Sequence, residues 1–341
     1  MENIIESEIR RTSRNLLLTN LGILIFCLLV FFSNLRYYKN FFEGPFNISK
    51  QELISIKDPS ARQEYYITIK GDSIYDSGYY QIEQTLDKYS KAVKSERKVA
   101  SYDLLDLDDK SLLVHSEYPE HSTTLTGYLD YKPNDLRKEF ADDKFLPFMI
   151  YTSRFKASGY FGLIILIPLF LLSLWNIQNA IFRLENPAKH PIHKSLKQFG
   201  DISQIESSII NEFHNQDQYL KIPKAHLSKS WLVIPRFFKT DYIHNNSLIW
   251  LYKVHTKHSV NWIPTGSTYK IKIFLKEIKY IAISYDQNEA DYFLKIIYKR
   301  NPWVHLGYSD KLNNELHSKP RLFIDVVEYR RNEMLNETKK D

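Results

Sequence analysis

Two uncharged apolar blocks constrain this chain more than any other feature. Asn15 to Leu35 runs 21 residues without a charge, and Ala157 to Phe182 runs 26. An α-helix needs about 20 apolar residues to cross the hydrocarbon of a bilayer, so the blocks predict spans at residues 16–35 and 157–182. Arg10, Arg11 and Arg14 ahead of the first block would also suit a signal peptide. The block exceeds the roughly 7 to 15 residues of such a segment, however, and Arg36-Tyr37-Tyr38-Lys39 offers no small-residue cleavage site. A retained anchor is expected. In the second block Tyr160 and Trp175 lie towards the two ends, where interfacial aromatics belong. Pro168, near its middle, predicts a kink and a freed carbonyl that a neighbouring helix can shield. The mean hydropathy of −0.38 averages both blocks away.

Two spans return the chain to its starting side. The expected organisation is a basic N-terminal segment (1–15), a span, a β-rich extracytoplasmic domain (36–156), a second span, and a tail on the side of the N-terminus. The middle region carries a net charge of −2 and the tail, from Arg183, one of +8. Lys and Arg close to the spans favour both termini in the cytoplasm. The single cysteine, Cys27, lies inside the first block, so the middle domain must hold together by packing without a disulfide.

Between the blocks the pattern has period two. Tyr65–Lys70, Tyr79–Glu83, Ser111–His115 and Thr124–Leu129 read as strands, Asp135–Phe140 as a short helix, and Lys88–Lys98 as an exposed loop or hairpin tip. Asp103, Asp106, Asp108 and Asp109 lack the spacing and central glycine of a calcium loop and are read as hairpin-turn residues. In the tail, Pro187 and Pro191 break a connector (183–217) that ends in a helix over Ile202–Phe213, capped by Asp201. Strands are predicted over His226–Pro235, Ser247–His255, Thr268–Leu275 and Lys279–Tyr285, then a helix over Asn288–Arg300. The last segment (302–341) reads as helices over Asp310–His317 and Arg321–Leu335, with a frayed Lys-Lys-Asp end. The fold class is thus α+β, with two transmembrane helices.

The order of these elements, with a strand ending in WLVIP, a short turn and then LIWLYKV, resembles the bacterial pleckstrin-homology-like domain over Tyr219–Asn301. That resemblance implies a barrel or sheet closed by a helix (218–301), a scaffold binding lipids, peptides or proteins through its loops. The two-pass layout and the runs HPIHKSLKQFGD, KHSVNWIPTG and NPWVHLGYSD are similar to uncharacterised bacterial membrane proteins, which implies the inner membrane. Neither resemblance carries catalytic residues across.

Ten glycines supply no phosphate-cradling loop or dinucleotide fingerprint, one cysteine excludes thiolate zinc sites, and no HExxH, GxSxG or kinase pattern is present. The pairs His190/His193 and His255/His258 find no nearby carboxylate to complete a metal site, so no cofactor is expected. Nucleic acid is a poor fit, because the basic residues are scattered and no recognition motif appears. The expected function is therefore a non-enzymatic interaction, sensing or scaffolding module at the membrane. Its expected partners are the bilayer, anionic headgroups or a membrane protein, and an oligomer is compatible. The expected contact residues are Trp262, Pro264, Thr265 and Gly266 in one loop and Trp303, His305 and Tyr308 in another, since exposed aromatics beside polar groups anchor interfaces. Two alternatives stand beside it: an enzyme or enzyme accessory with a site assembled from distant residues, and a bacterial effector inserted in a host membrane.

Overall fold

The computed structural model describes residues 4–87, 93–215, 218–260 and 262–337. The chain divides into two compact units, residues 21–175, and residues 1–20 together with 176–341.

The unit 21–175 takes in the second half of α1 (Ile4–Ser33), then α2 (Leu35–Glu43), β1 (Phe46–Asn47), α3 (Lys50–Ser55), β2 (Tyr66–Lys70), β3 (Ile74–Leu86), β4 (Val93–Leu107), β5 (Lys110–Ser116), β6 (Thr124–Tyr131), α4 (Asn134–Glu139), β7 (Phe145–Tyr151) and the first part of α5 (Phe155–Glu185). The strands form one seven-stranded sheet in the order β1-β2-β6-β7-β5-β4-β3, with β1 parallel to β2 and β5 parallel to β7. One face packs Leu105, Leu107, Leu112, Val114, Phe148 and Ile150 against Leu53 of α3; the other packs Tyr102, Leu104, Leu113 and Met149 under Leu136 and Phe140 beside α4. Apolar side chains are therefore needed on both faces, which explains the unbroken pairs Leu104-Leu105 and Leu112-Leu113. Of the exposed loop or hairpin tip expected over Lys88–Lys98, Val93–Lys98 are exposed residues of β4 at the end of its antiparallel pairing with β3, while 88–92 lie outside the described residues. Near the apolar helices, Gly159 of α5 lies so close to Phe41 of α2 that a Cβ would meet the ring at 2.3 Å, and the Tyr37 hydroxyl donates to Phe155 O at 2.8 Å.

The other unit adds α6 (Pro191–Leu196), α7 (Ile202–His214), β8 (Leu220–Ile222), β9 (Ala225–Leu227), β10 (Trp231–Pro235), β11 (Thr240–His244), β12 (Leu248–Val260), β13 (Ile263–Leu275), β14 (Tyr280–Tyr285), α8 (Gln287–Arg300), β15 (His305–Leu306), α9 (Asp310–Ser318) and α10 (Pro320–Glu337). Its strands make two four-stranded sheets, β11-β10-β9-β8 and β14-β13-β12-β15. Leu232, Ile234 and Ile243 of the first meet Leu251, Ile271 and Ile273 of the second, and Ala290, Phe293 and Ile297 of α8 close the core. Asp286 and Glu289 form a capping box that starts α8. The sheets do not close into a barrel among the described residues, which corrects that part of the expectation: no strand of one sheet pairs with a strand of the other. The single strand predicted over His226–Pro235 is two, because Ser228–Ser230 turn the chain, with the Ser228 hydroxyl and the Ser230 N–H both donating to Glu212.

The basic N-terminal residues are the first turns of α1, not a separate segment. Ile5 and Ile9 recur at helical spacing and are buried with Ile192, Leu196, Ile205, Ile209, Trp231, Val233 and Tyr242. Glu8 accepts from Arg11 at 2.6 Å and from the Thr240 hydroxyl, and Arg11 also donates to Arg236 O at 2.9 Å. Further along the helix, Asn176 of α5 donates to Asn20 of α1 at 3.1 Å. Both apolar helices keep their side chains outward, with only 11% of each apolar window buried. The Lys-Lys-Asp end lies outside the described residues.

Candidate interaction surface of the tail

The strands β12 and β13 are longer than the sheet that contains them. β14 pairs with β13 only over Tyr269–Phe274 and β15 with β12 only at Trp250 and Leu251, whereas β12 and β13 pair with each other as far as Val260 and Ile263. Beyond His255 the hairpin is thus a two-stranded ribbon, and His255 to Val260 are all exposed. Two strands alone are marginal in water, so such a ribbon is a segment that gains from contact with something else.

The tip carries Trp262, 98% exposed, at φ +70°. A left-handed backbone at a non-glycine residue costs about 1 kcal/mol or more, here in a turn that holds an indole in solvent. Gly266, at φ +141°, sits opposite the register shift between His258 and Ser259, where only glycine takes that conformation freely. Thr265 is exposed beside it. Pro264 lies in β13, with its side chain outside the described set.

The ribbon is basic without compensation in sequence, since no Asp or Glu occurs from Tyr242 to Lys276. Cross-strand pairs place His255 and Lys257 on one face and His258 and Lys270 on the other. His255 stacks on Tyr269 with ring centroids 4.5 Å apart, and His258 Nε2 lies 3.0 Å from Thr268 Oγ1. At the root of the ribbon Lys253 is paired with Asp291, whereas Lys257 and Lys270 have no acidic partner among the described residues.

The second predicted group is not on this surface. His305 pairs with Trp250, at the other end of β12 from Trp262, about 40 Å of strand away. Trp303 is half-buried and packs against both tail cores, and its indole N–H has no partner among the described residues. The His305 ring lies 5.0 Å from Phe323, and burial pushes its imidazole below the ordinary pKa. Tyr308 stacks on Trp250, meets Tyr252 edge-on and donates to Asp310 at 2.8 Å. These residues form an aromatic wall whose other members, Tyr252 and Phe274, the sequence reading left out. The alternation Trp250-x-Tyr252 against Lys272-x-Phe274 is the signal that marks them.

The histidine pairs act singly. His190 is buried and caps α6, His193 pairs with Glu206 at 2.6 Å, and no group of three or more His, Cys, Asp or Glu is placed to hold a metal among the described residues.

Residues 186–316 match the model of a domain family described as a domain of unknown function (DUF6709). No curated protein and no solved structure matches the chain.

Proposed function

We propose that the chain is a two-pass protein of the bacterial inner membrane, with both termini cytoplasmic and a tail that acts as a non-enzymatic interaction module against anionic headgroups. The observation that carries the interaction reading is the ribbon: a solvent-exposed indole at its tip, His255 and Lys257 on one face, His258 on the other with Lys270 at its root, and no acid within its sequence. Trp is the residue that gains most from the membrane interface, and each basic residue near an anionic surface is worth about 1 kcal/mol.

The membrane reading is supported by α1 and α5, long apolar helices with outward-facing side chains, and by the first turns of α1 sharing a core with the tail. An even number of crossings is what joins those two ends on one side. The pleckstrin-homology-like reading of the tail is supported by element order alone: four antiparallel strands, three more, then α8 across the core.

The test uses the full chain in proteoliposomes containing brominated lipids, with Trp262→Phe as the reference that isolates the Trp262 signal. The expected result is Trp262 quenching in anionic vesicles that falls as salt rises. Equal quenching in neutral and anionic vesicles, or none, would remove headgroup recognition and leave a protein partner for the ribbon.

A further inference from the structure

The unit 21–175 contains a cavity of about 430 Å³ at the point where α2 and α5 meet the sheet, lined among others by Arg36, Tyr65, Tyr128, Asp130, Arg154 and Ser158. Its place in the chain is its first notable property. Arg36 is the first residue after one apolar block and Arg154 stands three before the other, while Tyr160 and Phe161 of α5 are 58% and 68% exposed. Exposed aromatics at the end of a span mark the headgroup layer, and Ser158 precedes Tyr160 by two residues.

The second property is which of its charges are free. Arg36 is consumed by the protein: it donates to Pro59 O at 2.9 Å and to Arg62 O at 2.6 Å, with its guanidinium 4.4 Å from the Tyr65 ring centroid. Arg154 is exposed and has no ion pair or side-chain hydrogen bond among the described residues. Asp130 is also exposed; it accepts only from the N–H of its neighbour Tyr131, at 2.7 Å, and pairs with no cation among the described residues. One wall is aromatic, with Tyr128 stacked on Tyr151 at 5.0 Å and Tyr65 edge-on to Phe155 at 5.7 Å.

A free guanidinium and a free carboxylate opening on one aromatic-walled cavity at headgroup depth match a ligand carrying both signs of charge. We propose that this cavity binds the zwitterionic phosphoethanolamine headgroup of a membrane lipid, with the phosphate on Arg154 and Ser158 and the ammonium on Asp130 and against the Tyr128 ring. A guanidinium takes a phosphate through two parallel hydrogen bonds, and the positive end of α5 adds to its field. An ammonium offers three hydrogen-bond donors to the carboxylate and is drawn to a ring face, whereas a trimethylammonium has no donor and a glycerol headgroup has no positive charge. The proposal rests on α1 and α5 being membrane spans.

The test reconstitutes the full chain with an equimolar mixture of phosphatidylethanolamine, phosphatidylglycerol and phosphatidylcholine of matched acyl chains, and counts the lipids retained by native mass spectrometry. The expected result is phosphatidylethanolamine retained about fivefold or more over the other two, a preference that Arg154→Gln and Asp130→Asn each reduce to within about twofold. Both residues are exposed, so both variants keep the fold. Equal retention of the three lipids, or a preference unchanged in both variants, overturns the proposal. Soluble glycerophosphoethanolamine binding as tightly as the lipid overturns the membrane source. Alkaline carbonate extraction separates the two levels: a chain that stays in the membrane without headgroup preference refutes only the cavity, whereas a chain released by carbonate refutes the spans as well.

Discussion

Acid should loosen the tail core through one histidine. His190 is 1% exposed; its Nδ1 accepts from the Ile192 N–H at 3.2 Å, and its Nε2 lies 3.4 Å from Thr12 Oγ1 in the first turns of α1. The ring therefore needs its proton on Nε2 and is neutral in the fold. Burial first, and then the charges of Arg183 and His193, push its pKa down to about 4 from the ordinary 6.5. Because the folded value lies below the unfolded one, the unfolded chain binds the extra proton, so stability is complete above pH ~6.5 and falls as pH drops towards 4. Linkage over that interval gives a loss of about 1.4 kcal/mol at pH 5.5 and about 2.5 kcal/mol at pH 4.5. The assay is urea unfolding of the full chain in detergent, followed by emission of Trp231, which shares a core with Ile192 and Ile9. In His190→Gln the side-chain amide keeps an acceptor and a donor but does not titrate, so its acid loss should be smaller by those amounts. His226 and His244, also pushed down by burial, titrate in both chains and cancel in the difference. Equal acid sensitivity of the two chains would refute the reasoning.

Lys132 is 3% exposed, donates among the described residues only to Phe140 O at 3.1 Å, and is pushed down to about 8 by burial. The unfolded state holds its proton more tightly, so stability of the unit 21–175 should rise from pH ~8 to ~10.5, and Lys132→Met should gain about 1–3 kcal/mol at neutral pH and lose that rise, as read by limited proteolysis at graded denaturant. Phe293, on the inner face of α8, is fully buried, and Phe293→Ala should cost about 3–5 kcal/mol in the same urea assay followed by Trp250 emission. Replacing Asn176 by Leu removes the Asn176–Asn20 hydrogen bond and should weaken association of the apolar helices by about 0.6–1.7 kcal/mol, measured as a lower SDS fraction at the unfolding midpoint.

Much of the architecture was legible because period and caps are local signals. The helix after Asp201, the helix begun by Asp286, and the alternating strands of the tail follow from residues adjacent in sequence. What escaped depends on partners distant in sequence. Phe145–Tyr151 contains Pro147 and so reads poorly as a strand, yet it pairs inside the sheet because Pro147 falls at the register irregularity opposite Ser111–Leu113, where no N–H is needed. Val93–Lys98 looked like a loop because its charges are exposed on a ribbon. The role of Ile5 and Ile9 was hidden among arginines until the tail core appeared beneath them. At the candidate surface the exposed Trp262 could be named from sequence, but its distance from Trp303 could not, since β-register fixes it and composition does not. Arg154 and Asp130 went unnoticed for the same reason: 24 residues separate them, and only the fold opens both onto one cavity.

Two crossings would leave both ends of the chain on one side of a membrane and the unit between them on the other. In a Cys27→Ala background, single cysteines at Glu6, Tyr118 (77% exposed) and Tyr329 (68% exposed) would be labelled with a membrane-impermeant maleimide in intact cells and again after lysis. Labelling of Tyr118→Cys is expected in intact cells, and of Glu6→Cys and Tyr329→Cys only after lysis. The same pattern at all three positions, or opposite behaviour of Glu6→Cys and Tyr329→Cys, would contradict it.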